Sequence, residues 1–338
     1  MVLGCSKWLG VRLEVLCSLL VTLVAAGAVL VTQIPAIAGM SLTYALETLD
    51  AAQFGVQLTS ETENLMTSVE RVITFTQMSP EPGYDMKDDR RPAKGSLCLR
   101  NLSLRYVEGN HRVLRDITVE IKNKEKVGIT GRTGSGKSSL VAALFRMPEP
   151  DGEVMVDGIN LKTLNLQEAR RTFSVITQNP ILFAGSLRRN LDPFNKHTDH
   201  ELWIALEDVQ MKHWVLQLPG HLHYKLIEYG NNLSVGERQL VCLARGLLQN
   251  NKIVILDEAT ANVDFKTDRL IQEVIRTKFK NVTVLTIAHR LDTIIDYDRV
   301  MVLDRGSVVE FDKPSALLNK RGSYFADLVK SYNTTVSS

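Results

Sequence analysis

Lys126-Val-Gly-Ile-Thr-Gly-Arg-Thr-Gly-Ser-Gly-Lys-Ser-Ser-Leu140 decides the fold. Val127 to Thr130 is a short apolar run that reads as a buried strand, and a helical pattern opens at Lys137. Between them lies a glycine-rich turn, so strand, turn and helix N-terminus form a phosphate cradle. Gly131, Gly134 and Gly136 carry no Cβ, and the backbone N–H groups of Gly131, Arg132, Thr133, Gly134, Ser135, Gly136, Lys137, Ser138 and Ser139 can converge on one anion. The helix dipole and its unpaired N–H groups add positive potential at the same place. Lys137 supplies a point charge for β- and γ-phosphates, and the Ser138 hydroxyl is placed to ligate Mg²⁺. The chemistry predicted here is nucleotide binding.

Outward from that stretch, 338 residues allow two or three domains and a full core. Lys plus Arg (40) and Asp plus Glu (38) nearly cancel, and the aromatics never interleave with a basic run. Nucleic acid is therefore not an expected partner. Cys5, Cys17, Cys98 and Cys242 are too far apart for a metal site or a disulfide framework, which fits reduced thiols.

Towards the N-terminus, Val15 to Leu46 contains no Asp, Glu, Lys or Arg. That run exceeds the ~20 apolar residues needed to cross a bilayer. The expectation is a partial transmembrane domain over 1–78, with spans at about 15–32 and 37–58 separated by Gln33-Ile34-Pro35. The second helix continues into the cytosol through Leu65, Met66, Val69, Val72 and Ile73. Lys7 and Arg12 before the first span and Arg71 after the second place both ends in the cytoplasm. A secretory signal peptide is the alternative, since Lys7, Arg12, an apolar core and Ala36-Ile37-Ala38 imitate one. The charge-free run continues past that cleavage site, which argues against it. Residues 79–95, rich in Pro, Gly and charge, read as a linker, and 96–338 as a nucleotide-binding domain.

Within that domain, Leu97 to Tyr106 and Leu114 to Ile121 alternate like strands of an antiparallel hairpin. Val154 to Val156 and Phe173 to Thr177 are short strands, Asp192 to Gln249 is mostly helical, and Lys266 to Lys278 is a helix. Ile253 to Leu256, Val282 to Ile287, Val300 to Leu303 and Ser307 to Phe311 read as core strands. The predicted fold class is α/β: a mostly parallel sheet around a phosphate loop, with an antiparallel β subdomain, a helical subdomain and an all-α hairpin in front.

Ile253-Val-Ile-Leu-Asp257-Glu258 delivers two carboxylates to the C-terminal edge of a buried strand, where ligands of open α/β sheets bind. Asp257 is suited to the Mg²⁺ shell and Glu258 to polarising an attacking water. Leu233-Ser-Val-Gly236-Glu237-Arg-Gln239 precedes a helix, so the Ser234 cap and Gly236 make a second anion-facing helix start. This segment resembles the signature of ATP-binding cassette (ABC) proteins, and the other motifs fall in that family's order. The resemblance implies adenine stacking on Tyr106, Mg²⁺ contact from Gln178, a dimer-crossing loop at Ala261-Asn-Val-Asp264, and γ-phosphate contact from His289. It makes Glu258, His289 and Lys137 the catalytic groups and Ser138, Gln178 and Asp257 the Mg²⁺ ligands. Ser234, Gly236 and Glu237 would face ATP held by a partner domain. Glu237 departs from the commonest signature, which has Gln there.

Trp8-Leu-Gly-Val-Arg12, Ser41-Leu-Thr-Tyr-Ala45, Arg132-Thr-Gly-Ser135 and Gly185-Ser-Leu-Arg-Arg-Asn190-Leu-Asp-Pro193 are similar to the C subfamily, the multidrug-resistance-associated exporters. They match its last two membrane helices and second nucleotide-binding domain. The resemblance implies ATP hydrolysis coupled to export of organic anions, conjugates or drugs. It implies as partners a second nucleotide-binding domain, the lipid bilayer and a transport substrate, with the plasma membrane as location. Two spans and one nucleotide domain look like the C-terminal end of a larger transporter, as a short isoform or an incomplete gene model. A truncated, nucleotide-sensing regulatory module or channel-regulator half is the second reading.

Overall fold

The computed structural model describes residues 2–31, 34–88, 90–106, 111–257, 263–288 and 290–336. They divide into two compact units, Met1–Pro80 and Glu81–Ser338.

The smaller unit is a helix pair, α1 (Val2–Val31) and α2 (Pro35–Thr76). Ile34 caps α2 in an extended conformation and Pro35 takes the first helical position, where its missing N–H costs nothing. The span and the cytosolic continuation expected after the break are one unbroken helix of 42 residues. Among the described residues, no helix is long and apolar enough to cross a membrane. Thr32 and Gln33, which fall within the charge-free run, lie outside the described residues, and α2 carries Glu47, Asp50, Glu61, Glu63 and Glu70. None of the α2 residues is buried, and Val15, Leu16, Leu19 and Leu23 of α1 stand exposed. Apolar exposure on that scale marks a surface that meets other protein or lipid.

The larger unit begins with β1 (Leu97–Leu104), β2 (Leu114–Ile121), β3 (Lys126–Thr130), α3 (Lys137–Leu144), β4 (Asp151–Val156) and β5 (Ile159–Asn160). Next come α4 (Leu166–Arg171), β6 (Phe173–Ile176), β7 (Gly185–Ser186), α5 (Leu187–Leu191), α6 (Asp199–Asp208), α7 (Lys212–Gln217) and β8 (Lys225–Leu226). The remainder is α8 (Val235–Gln249), β9 (Ile253–Asp257), α9 (Phe265–Lys278), β10 (Thr283–Ile287), β11 (Arg299–Asp304), β12 (Ser307–Asp312), α10 (Pro314–Asn319) and α11 (Tyr324–Val336).

The central sheet runs β12-β11-β3-β10-β9-β6, with β12 antiparallel at one edge and every other neighbouring pair parallel. It is a mixed sheet. The expected hairpin is part of a four-stranded antiparallel sheet, β2-β1-β4-β5, in which β1 pairs with both β2 and β4. Asp157 and Gly158, both at positive φ, make the tight turn from β4 to β5.

β9 explains how the layers form. Ile253 and Ile255 join a core with α3 and the antiparallel sheet, whereas Val254 and Leu256 join a core with α5, α6, α8 and α9. A strand buried on both faces must be apolar at every position, which is why 253–256 shows no alternation. The stretch expected to be mostly helical, Asp192 to Gln249, breaks over 218–234. There Pro219, Gly220, Gly230 and Asn232 give way to short 3₁₀ turns and to β8, which pairs with β7.

Candidate nucleotide site

β3 sits inside the sheet, flanked by β10 and β11, and delivers Gly131 at its C-terminal end. Gly131 has φ 151°, and a Cβ there would run into the Leu303 carbonyl and stand 2.6 Å from Ser135 Oγ. Glycine is therefore required by backbone angle and by space. Arg132, Thr133 and Gly134 form an exposed arch, closed by the Ser135 amide donating to the Arg132 carbonyl at 3.0 Å. The chain re-enters the core at Ser135, Gly136 and Lys137, all buried. α3 starts at Gly136 with no side-chain cap, so the N–H groups of its first turn face the arch unclaimed by a side chain.

Lys137 is 7% exposed, and its Nζ donates to the carbonyls of Gly131 (2.8 Å) and Arg132 (3.2 Å). A buried ammonium fixed beside the N-terminus of α3 is a cationic floor for a phosphate chain. Ser135 Oγ is buried without a hydrogen-bond partner among the described residues. An unsatisfied buried hydroxyl, a cradle that a Cβ would fill and an uncapped helix start fit a polyphosphate, so the residues present suit ATP. Ser138 is exposed on the first turn of α3. The Tyr106 hydroxyl donates to Ser139 Oγ at 3.1 Å, which stands a half-exposed aromatic ring beside the cradle.

The neighbouring strands bring the rest to the same edge. Ile129 pairs with Ile287, Ile287 with Asp257, and Leu256 with Ile176. Asp257 therefore ends β9 beside β10, and Gln178 follows β6 by two residues. This oxygen set suits Mg²⁺ in donor chemistry. Glu258, Ala261, Asn262 and His289 lie outside the described residues. Of the stretch expected to cross a dimer, Val263 and Asp264 are described: Asp264 caps α9, taking the Thr267 amide (3.1 Å) and hydroxyl (2.8 Å), which hold its carboxyl below the usual range.

The second helix start singled out by the sequence is that of α8. Ser234 and Glu237 form a capping box, with Ser234 Oγ accepting from the Glu237 amide (3.2 Å) and Glu237 Oε2 from the Ser234 amide (2.7 Å). Gly236 has a packing role as well, because a Cβ would meet Thr267 Cγ2 at 2.9 Å. α8 can approach α9 only through that missing side chain.

The structure adds positions that motif reading missed. Gln239 is 1% exposed, and its Nε2 donates to the Thr177 carbonyl at 3.1 Å, anchoring the residue before Gln178 to α8. Asn190, also buried, pairs with both backbone groups of Phe183 and donates to the Ser186 carbonyl, while Arg245 holds the Asn190 carbonyl from α8. The loop from Gln178 to Ser186 is thus pinned at both ends. The available signal was an amide on the buried face of a helix, at Gln239.

Comparison with known proteins supports the geometry. Residues 114–261 match the family model described as ABC transporter. Human "ATP-binding cassette sub-family C member 4" is 47% identical over 330 residues, which is 96% of this chain and 25% of that protein. The Drosophila melanogaster "Probable multidrug resistance-associated protein lethal(2)03659" is 49% identical over 84% of this chain and 21% of its own length. "Multidrug resistance protein mrp-7" of Caenorhabditis elegans is 45% identical over 96% of this chain and 22% of its own. The chain thus spans about a quarter of the length of the curated relatives it matches. A solved structure titled "Structure of a bacterial Atm1-family ABC exporter with ATP bound" superposes with TM-score 0.72 at 25% identity, covering 88% of this chain and 52% of that one.

Proposed function

Since the chain belongs to the ABC transporters, with multidrug-resistance-associated proteins among its relatives, we propose that it is the ATP-hydrolysing nucleotide-binding half of an exporter for organic anions, conjugates or drugs. The observation that supports the reading is that one domain holds two helix starts that we read as phosphate-facing. They are the Gly131–Ser139 cradle with Lys137 buried beneath it, and the Ser234-capped start of α8. The helix pair is read as part of a membrane domain, in the plasma membrane, and the nucleotide domain as cytosolic.

ATP enters with its adenine on the Tyr106 ring and its phosphates in the cradle, where Lys137 exchanges the Gly131 and Arg132 carbonyls for phosphate oxygens. Ser138, Gln178 and Asp257 would hold Mg²⁺, which when bound neutralises charge across the β- and γ-phosphates. A partner domain covers the γ-phosphate with its own signature, while Ser234, Gly236 and Glu237 cover the partner's. Glu258 orients water for in-line attack, and Lys137 and His289 stabilise the charge spreading over the equatorial oxygens. Closing the site excludes water and strengthens each of these interactions.

Glu258→Gln tests the assignment. The variant is expected to bind ATP with wild-type affinity and to lose turnover by about 100-fold or more, since only the water-orienting carboxylate is removed. Phosphate release and fluorescent-nucleotide titration on the purified chain read the two quantities. Turnover within a factor of a few of wild type would remove Glu258 from its role.

A further inference from the structure

The first turn of α9 holds a second group that the reading above does not use. Asp268 is 5% exposed and accepts from Arg290 Nη1 through Oδ2 at 3.1 Å. Its other oxygen, Oδ1, is buried without a hydrogen-bond partner among the described residues. A carboxylate so placed is a poor source of stability, because the desolvation of one oxygen is left uncompensated. Its position explains it better. Arg290 follows His289 directly in the sequence, and on the other side of 289 the Ala288 amide donates to the Ile129 carbonyl of β3 at 3.0 Å. Leu291, 5% exposed, buries the chain one residue further on. The described residues on either side of 289 are thus anchored, Ala288 on β3 and Arg290 on α9.

We propose that Asp268 is a positioning residue for the loop after β10, holding it through Arg290 against the first turn of α9. That same turn supports the signature helix: Thr267, one residue earlier, fills the space left by Gly236 and is tied to the Asp264 cap. One helical turn thus braces both the element that faces the partner's nucleotide and the loop that faces this domain's own. A displacement of α8 on closure reaches the 288–291 loop through Thr267 and Asp268. The bearing of this loop on ATP turnover rests on the function proposed above, whereas the anchoring does not.

The test uses the full chain and begins without nucleotide. In Asp268→Asn, amide hydrogen exchange over 288–294 is expected to quicken about tenfold while β3 and β9 keep their protection. With ATP, kcat is expected to fall about tenfold or more and KM to stay within about twofold, the split of a misplaced catalytic loop rather than of a weakened binding site. If Asp268→Asn also loses protection in β3 and β9, Arg290→Gln decides, because Arg290 is partly exposed and its loss spares the buried carboxylate's helix. Loosening confined to 288–294 supports the proposal. Wild-type exchange there in the folded variant, or a loosened loop with unchanged kcat, overturns it. A wild-type chain that neither binds nor hydrolyses ATP would overturn the proposed function instead, and exchange alone would then decide this inference.

Discussion

Gly131 carries two constraints at once, a positive φ and a carbonyl wall formed by Leu303. Alanine would strain the backbone by about 1–3 kcal/mol and push the arch off Ser135. Gly131→Ala is therefore expected to lower ATP affinity by about tenfold or more while leaving the far-ultraviolet dichroism of the domain unchanged, since β3 ends one residue earlier. Titration with a fluorescent nucleotide checks it, and wild-type affinity would show that the arch tolerates a Cβ. This residue, like Lys137 and Ser138, was legible in the sequence because its chemistry is local: the spacing of glycines and lysine along one turn is the site. Gln239, Asp268 and Arg290 were not. Each acts on a residue distant in sequence, on Thr177, on Arg290 and on Asp268 respectively, and no spacing announces such a contact.

Elements show the same division between local and tertiary information. β9 was legible from its unbroken apolar run, and α9 as a helix over Lys266 to Lys278, whereas its Asp264 cap was not read. The segment 81–96 was not, because Pro, Gly and charge gave it the composition of a linker. In the structure it is fastened along the larger unit. The Pro82 carbonyl accepts from Arg146, Asn165 Nδ2 donates to the carbonyls of Tyr84 and Met86, and Glu81 and Arg91 pair with Arg170 and Glu168. Asp157 completes the fastening by accepting from the amides of Lys94, Gly95 and Ser96 and from the Ser96 hydroxyl. Burial raises the Asp157 carboxyl pKa, but those donors outweigh it and hold the group below its ordinary value. A depressed folded-state pKa contributes stability that is full above the unfolded value of about 4 and is lost as pH falls through the folded one. Asp157→Asn keeps a residue that tolerates the φ of 51° and removes only the charge. Near neutrality it is expected to destabilise the domain by about 1–3 kcal/mol, the range for hydrogen bonds to a charged group. The gap between wild type and variant should begin to close below the unfolded value and vanish once pH has fallen through the folded one. Denaturant midpoints at several pH values read this, and a gap independent of pH would mean that the carboxylate charge contributes nothing.

At the scale of the whole molecule, the two helix starts proposed to face phosphate, those of α3 and α8, belong to cores on opposite faces of the central sheet. α3 packs into the core on one face of β9 and α8 into the core on the other. In the function proposed above each helix start is half of a site, and a second domain supplies the complement. The membrane role proposed for the helix pair rests in the sequence on a charge-free run, Val15 to Leu46; what covers its exposed apolar side chains depends on partners a single chain does not encode. A composite site makes turnover bimolecular in protein. Specific ATPase activity of the purified chain is therefore expected to rise with its own concentration and to level off once copies pair, whereas ATP affinity measured under non-hydrolysing conditions stays constant. Initial rates across about a hundredfold range of protein, at saturating ATP, separate the outcomes, because a paired population grows with concentration until association saturates. Activity strictly proportional to protein at every concentration would mean that one chain completes its own site, against the composite site proposed above. Nucleotide binding with no turnover at any concentration would mean that two copies do not complement each other, and would favour a nucleotide-sensing role or a different partner half.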